Sequence, residues 1–163
     1  LWRHSAATAG YAREIAQLLR RDLESAFLCG LFHDVGMAIV LQAVCDLEQA
    51  GVVPPVAPAT MEAAMLEFHC EFGARVAEAW RLGPWIGAVI RHHHAPERAR
   101  LRPEEIPLIA LADALAYWAV DPGKKEEDFQ VEPRFASLKL HEGALKTLLR
   151  RRERVLQMVE AFS

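Results

Sequence analysis

The sequence predicts an all-α domain, and three observations carry that expectation. Apolar residues recur at helical spacing in one stretch after another, the breaks between stretches fall mostly at glycine and proline, and no segment alternates long enough to read as a strand. Ala7, Tyr11, Ile15, Leu18 and Leu19 form the apolar stripe of a first helix over about residues 2–20. A second begins near Leu23 and runs through Phe27, Leu28 and Leu31 to His33-Asp34; the pattern resumes after Gly36 through Met37, Ile39, Val40, Leu41 and Val44, with Gly30 and Gly36 as the candidate breaks. Gly51 to Ala59, with Pro54, Pro55 and Pro58, reads as a loop. Thr60 offers an N-cap, and Glu62 suits the first turn of a helix carrying Leu66, His69, Phe72, Gly73, Val76 and Trp80. Gly83-Pro84 stops it, and Pro84 opens a helix through Ile86, Val89 and Ile90 into His92-His93-His94, ended by Pro96. Another runs from near Pro103-Glu104-Glu105 to Val120, followed by an Asp121-Pro122-Gly123 turn and a charged, mobile loop from Lys124 to Asp128. A last amphipathic helix spans about residues 142–162.

A chain of 163 residues fits a single domain, and its hydrophobic fraction of 52% and charged fraction of 25% are those of an ordinary soluble protein. The net charge of −3 calls for neither nucleic acid nor an acidic membrane, and charged residues or histidine interrupt the apolar runs before they reach membrane-spanning length. The start, Leu1-Trp2-Arg3-His4, is neither a signal peptide nor an initiator, so the chain is expected to be part of a longer protein. Cys29, Cys45 and Cys70 are widely spaced in apolar surroundings, where a cysteine behaves as a small hydrophobe; a reduced, cytoplasmic protein is the simplest expectation.

The histidines and two aspartates carry the chemistry. In Phe32-His33-Asp34-Val35-Gly36 a His and an Asp adjoin inside an apolar stretch, where burial is costly without partners. They form either a hydrogen-bonded core pair or a pair of ligands for a first-row divalent ion. Asp113 stands alone among Ala, Leu and Ile and needs a neutralising partner, a metal or an arginine. His4 lies near the start of an amphipathic helix, His69 shares a helix face with Phe72 and Gly73, and of His92-His93-His94 two can point at one centre but not three. Together these residues fall on separate helices, each at or beside an apolar stripe, which is how a bundle builds a metal site from inward-facing side chains.

In that order, His4, His33-Asp34 and Asp113 resemble the H…HD…D signature of the HD superfamily, which implies an HD-domain-like helical bundle. His69 and the pair His93-His94 resemble the additional ligands of its binuclear members, among them the HD-GYP cyclic-dinucleotide phosphodiesterases. The closer likeness is to the HDOD branch, in Leu1-Trp2-Arg3-His4-Ser5, residues 30–36, residues 69–74, Trp80-Arg81-Leu82 and residues 90–96, whose spacing makes His92 the spare. The resemblance reaches from Leu1 to about Tyr117, and the whole of 1–163 is expected to be one HD/HDOD-like domain, the C-terminal part of a longer HDOD region. Two departures stand out: Ala95-Pro96-Glu97-Arg98 replaces the DGxGYP that follows the paired histidines in HD-GYP proteins, and Met37 stands where many relatives have lysine.

The resemblance implies one or two divalent transition metals, iron, manganese, nickel, cobalt or zinc. Asp34 would bridge two ions about 3.5–4 Å apart and a hydroxide between them. His4, His33 and Asp113 would complete one ion and His69, His93 and His94 the other. Two functions follow. One is an HDOD-type signal-transduction module, bacterial and cytoplasmic, that retains the metal site and partners other signalling modules or an N-terminal helical region. The other is an active phosphohydrolase or phosphodiesterase acting on nucleotides or cyclic dinucleotides, with Asp34 catalytic and Arg91, Arg98 and Arg3 the available cations for substrate phosphate. Arg150-Arg151-Arg152 with Arg154 reads as a solvated helix face, Trp80, Trp85 and Trp118 as core, and His141 as a capping or surface residue.

Overall fold

The computed structural model describes residues 1–100, 104–130, 137–140 and 142–162. Among them are eight α-helices and no strand: α1 (Trp2–Leu18), α2 (Leu23–Phe32), α3 (Val35–Gln49), α4 (Pro58–Ala79), α5 (Pro84–His92), α6 (Glu105–Val120), α7 (Glu142–Arg150) and α8 (Arg152–Ala161). His141, and with it the expectation of a capping residue there, lies outside the described residues, as does Pro103.

α6 is the axis of the core. From Ile106 to Ala119 it is buried on nearly every side, as expected of a helix apolar all round. Its neighbours α1, α2 and α5 pack against it, and α8 packs on α1. The meeting face of α1 is Ala6, Ala7, Ala9, Ala12, Ile15 and Ala16, mostly small side chains that let helices approach closely. α3 pairs with α4, and α4 with α5, forming the other side of the molecule.

Close approach is set by two glycines. A Cβ on Gly30 of α2 would stand 2.7 Å from Ala9 Cα of α1. A Cβ on Gly36 of α3 would stand 1.9 Å from the carbonyl oxygen of His69 on α4. Neither glycine breaks its helix. The break falls between them, at His33 and Asp34, which occupy the C-cap of α2 and the N-cap of α3. The turn also divides a long apolar run, contrary to the expectation that none reaches membrane-spanning length. Leu23–Gln49 taken as one helix is long and apolar enough to cross a membrane, with mean hydropathy 1.7. As folded it is two helices of 10 and 15 residues, each short of the roughly 20 a span requires.

Other expectations need correction. α4 starts at Pro58 with Ala57 as its N-cap, so Thr60 is already inside the helix; proline's fixed φ suits that first position. The last helix is two, interrupted at Arg151. The buried residues of α4 are His69, Gly73, Ala74 and Ala77, while Leu66, Phe72 and Trp80 are exposed. Where Gly36 and Gly73 bring α3 and α4 together, no large side chain fits between them, so the bulky apolar residues of α4 face outward. Trp118 is buried as expected, and Trp85 is half-buried.

The Lys124–Asp128 segment is held in place rather than free. The Trp118 indole N–H donates to Lys125 O at 2.6 Å, and Glu126–Asp128 form a 3-10 turn. Arg152 of α8 donates to the carbonyls of Ala119 (3.0 Å), Lys124 (2.5 Å) and Asp121 (2.5 Å), with its guanidinium 4.8 Å over the Trp118 ring. The arginine run is thus only partly a solvated face: Arg150 and Arg154 are exposed, Arg152 turns inward, and Arg151 and Arg154 both reach Glu14 of α1, at 3.7 and 3.5 Å.

Candidate metal centre

Six helices deliver His4 (α1), His33 (end of α2), Asp34 (start of α3), His69 (α4), His93-His94 (end of α5) and Asp113 (α6) to one place. His33, Asp34, His69, His93 and Asp113 are all buried. Asp34 sits at an N-cap, but its carboxylate accepts no hydrogen bond from the helix it begins. It is turned instead toward the histidines. Its Oδ2 lies 3.3 Å from His33 Nε2 and 3.9 Å from His4 Nε2; its Oδ1 lies 3.4 Å from His93 Nε2 and 3.5 Å from His69 Nε2. Asp113 Oδ1 completes the first side, 2.8 Å from His4 Nε2 and 3.6 Å from His33 Nε2.

The orientation of the rings is set from behind. Nδ1 of His33 donates to Gly30 O (2.7 Å), Nδ1 of His69 to Leu66 O and Met65 O (2.9 and 3.0 Å), and Nδ1 of His93 to Ile90 O (2.9 Å). A carbonyl only accepts, so each Nδ1 carries the hydrogen and each neutral ring aims an Nε2 lone pair inward. Backbone support of this kind fixes the tautomer of metal-ligating histidines. His33 Nε2, His93 Nε2 and Asp34 Oδ1 are buried without a hydrogen-bond partner. Lone pairs facing a carboxylate at these distances repel unless a proton or a metal cation lies between them. The donor set thus fits a divalent ion on each side of Asp34.

Charge on the first side shows what stands in for a cation when no metal is bound. Burial opposes protonation of His33, but the Asp113 and Asp34 carboxylates outweigh it and push its pKa up to about 10. Burial also works against ionisation of both aspartates and is overcome by their histidines, which hold Asp34 and Asp113 well below the usual carboxylate range. On the other side His94 is pushed down to about 4, by burial and then by His93.

Ligand atoms gather in two groups, each within 4.8 Å: His4, His33 and Asp34, and His69, Cys70, His93 and His94. His92 belongs to neither. Sequence reasoning missed Cys70, read as a small hydrophobe; its Sγ lies 3.3 Å from His69 Nε2. Adjacency to His69 was the available signal. It also missed Tyr117, whose ring is 4.2 Å from that of His4. Arg91 is tied to Glu71 (3.1 Å) and Glu78 (3.7 Å) of α4, Arg98 is exposed beside Glu97, and Met37 is buried. A cleft of about 540 Å³ is lined by His94, Asp113, Tyr117, Trp118, Lys124 and Phe129, among others.

Inward-facing histidines and aspartates on separate helices of a bundle define a domain of the HD type. Within that class, the HDOD domain matches residues 1–96, and the chain belongs to the HDOD family. Its fold is similar to the crystal structure of a "Putative phosphohydrolase" from Shewanella amazonensis SB2B, with TM-score 0.67 and 22% identity, covering 99% of this chain and 63% of that one. The chain thus spans less than two thirds of that protein's length. No curated protein matches the chain.

Proposed function

We propose that the chain is an HDOD-type signal-transduction module with a retained His/Asp site for one or two divalent ions, and that this site recognises a phosphoester ligand. One observation carries the metal reading: three buried histidines, each braced at Nδ1 by a backbone carbonyl, aim Nε2 at the two oxygens of Asp34. Bound there, a divalent ion supplies Lewis acidity for phosphate oxygens. The protein's own part is to hold the ligand atoms without rearrangement, with His94 and Asp113 lining the cleft by which a ligand enters. Partners under this reading are other signalling modules in a bacterial cytoplasm, which family membership supports. The same membership and the scarcity of cations around the centre favour recognition over turnover, since Arg91 is engaged by Glu71 and Glu78 and Met37 carries no charge.

A second reading, phosphoester hydrolysis, is favoured by the cleft, whose wall carries Lys124 as well as His94 and Asp113, although Asp121 and Asp128 line it too. Metal content per chain after purification without chelator, beside hydrolysis of phosphomonoesters and cyclic dinucleotides, tests both readings against Asp34→Ala. The module reading expects metal in the wild type, none in the variant and turnover in neither. Turnover that disappears with Asp34→Ala establishes the hydrolase instead. A metal-free wild type, unable to take up zinc, manganese or cobalt on addition, removes both readings.

A further inference from the structure

We infer that Cys70 is a ligand of the metal position on the Oδ1 side of Asp34, giving it an imidazole–thiolate set that takes a thiophilic divalent ion such as zinc or cobalt. The inference rests on the metal reading above and deepens it. Cys70 follows His69 on α4, and the two side chains, about 100° apart around the helix, both reach the same space. Its Sγ is 3.3 Å from His69 Nε2, which in turn is 3.0 Å from His94 Nε2, and the donor atoms of Cys70, His69, His93 and His94 all lie within 4.8 Å of one another. Ligands around a tetrahedral ion with metal–nitrogen bonds near 2.0 Å and metal–sulfur bonds near 2.3 Å stand about 3.3–3.6 Å apart. The Cys70–His69 separation falls in that range, His69–His94 lies just below it, and the whole group is compact enough to close around one ion.

A thiol donating to a histidine is the competing explanation of the Cys70–His69 contact. It leaves the rest of the group unexplained. His69 and His93 already spend their N–H groups on backbone carbonyls, so their Nε2 atoms offer lone pairs only, and one S–H hydrogen cannot serve both of them and His94. A cation satisfies all four donors at once. On binding, the thiol gives its proton to solvent as the sulfur–metal bond forms. A thiolate also changes selectivity. Carboxylate and imidazole alone accept manganese readily, whereas sulfur favours zinc, cobalt or iron.

Cobalt(II) tests this directly, because a thiolate ligand produces a near-ultraviolet charge-transfer band that imidazole and carboxylate do not. The metal-stripped chain loaded with cobalt should show the band. Cys70→Ala should lose it while still binding cobalt through His4, His33, Asp34 and Asp113. Alkylation gives a measurement on the unaltered chain: bound cobalt should slow iodoacetamide modification of Cys70 by about tenfold or more and leave Cys45, which is also partly accessible, unchanged. Two cobalt ions bound without the band, a band that persists in Cys70→Ala, or equal protection of both cysteines overturns the role of Cys70 and leaves the metal site standing. Failure of the wild type to bind cobalt removes the metal reading, and this inference with it.

Discussion

The Oδ2 side of Asp34 faces His4, His33 and Asp113, carried by α1, α2 and α6 of the packed core, whereas the Oδ1 side faces His69 and His93, with Cys70 and His94 beside them. The first side owns a second carboxylate, so in the absence of metal it can be satisfied by protons, as the pKa of His33 near 10 expresses. The second side has no carboxylate of its own, and His94, pushed down to about 4, does not take a proton near neutral pH. The two sides therefore differ in charge: two carboxylates face the first, and only the shared Asp34 faces the second. The difference arises from the elements: α6 places an acid in the core, while α4 and α5 bring neutral donors.

Removing Asp34 is the most damaging way to break this comparison, since it serves both sides. Asp34→Ala should lose all bound metal by elemental analysis. In the metal-free protein it should cost about 3–5 kcal/mol in denaturant unfolding, because buried His33 loses the nearer of its two carboxylates while His4 keeps Asp113. Retained metal at either side would show that the two do not share this carboxylate.

Gly36→Ala separates the sides. Its methyl would collide with the His69 carbonyl, α3 and α4 would part, and His69 and Cys70 would move away from Asp34. A loss of about 1–3 kcal/mol is expected, with about half the metal retained. Gly30→Ala, crowding Ala9, should weaken the first side instead. If both variants lose all metal together, the sides bind as one cooperative unit.

A pH series sharpens the contrast. The folded pKa of His33, about 10, lies above its unfolded value of 6.5, so its contribution is fully present below 6.5 and is lost as pH rises through 10. His94 has the opposite sign. Its folded value of about 4 lies below 6.5, so stability is present above 6.5 and lost as pH falls toward 4. Thermal unfolding of metal-free protein should therefore lose a few degrees of Tm on both flanks of neutrality. Bound metal should flatten the alkaline flank, because it replaces the proton at His33 Nε2.

The effect expected to leave the metal untouched concerns the wall of the cleft. Arg152→Ala removes three hydrogen bonds to the carbonyls of Ala119, Asp121 and Lys124 and should cost about 2 kcal/mol. Hydrogen exchange should quicken in residues 121–125 while metal content stays unchanged. Loss of metal in this variant would mean that the wall supports the centre itself.

Much was legible in the sequence because it is local. Helical periodicity, glycine and proline punctuation and a buried acid in an apolar helix are written within one or two turns of chain, and these marked the helices and the residues that converge on Asp34. Family resemblance ordered those residues, and the HDOD match over residues 1–96 agrees with it. What only the tertiary structure decided depends on distances between helices. Contact between α3 and α4 at Gly36 and Gly73 leaves no room for Phe72 or Trp80, so they face outward although their spacing suited a core stripe. The same approach carries Cys70 to the histidines. Arg152 turns inward because the carbonyls beyond α6 await a donor, a need that nothing near residue 152 announces. Periodicity tells which residues share a face; which face is covered, and by what, is settled where helices distant in sequence meet.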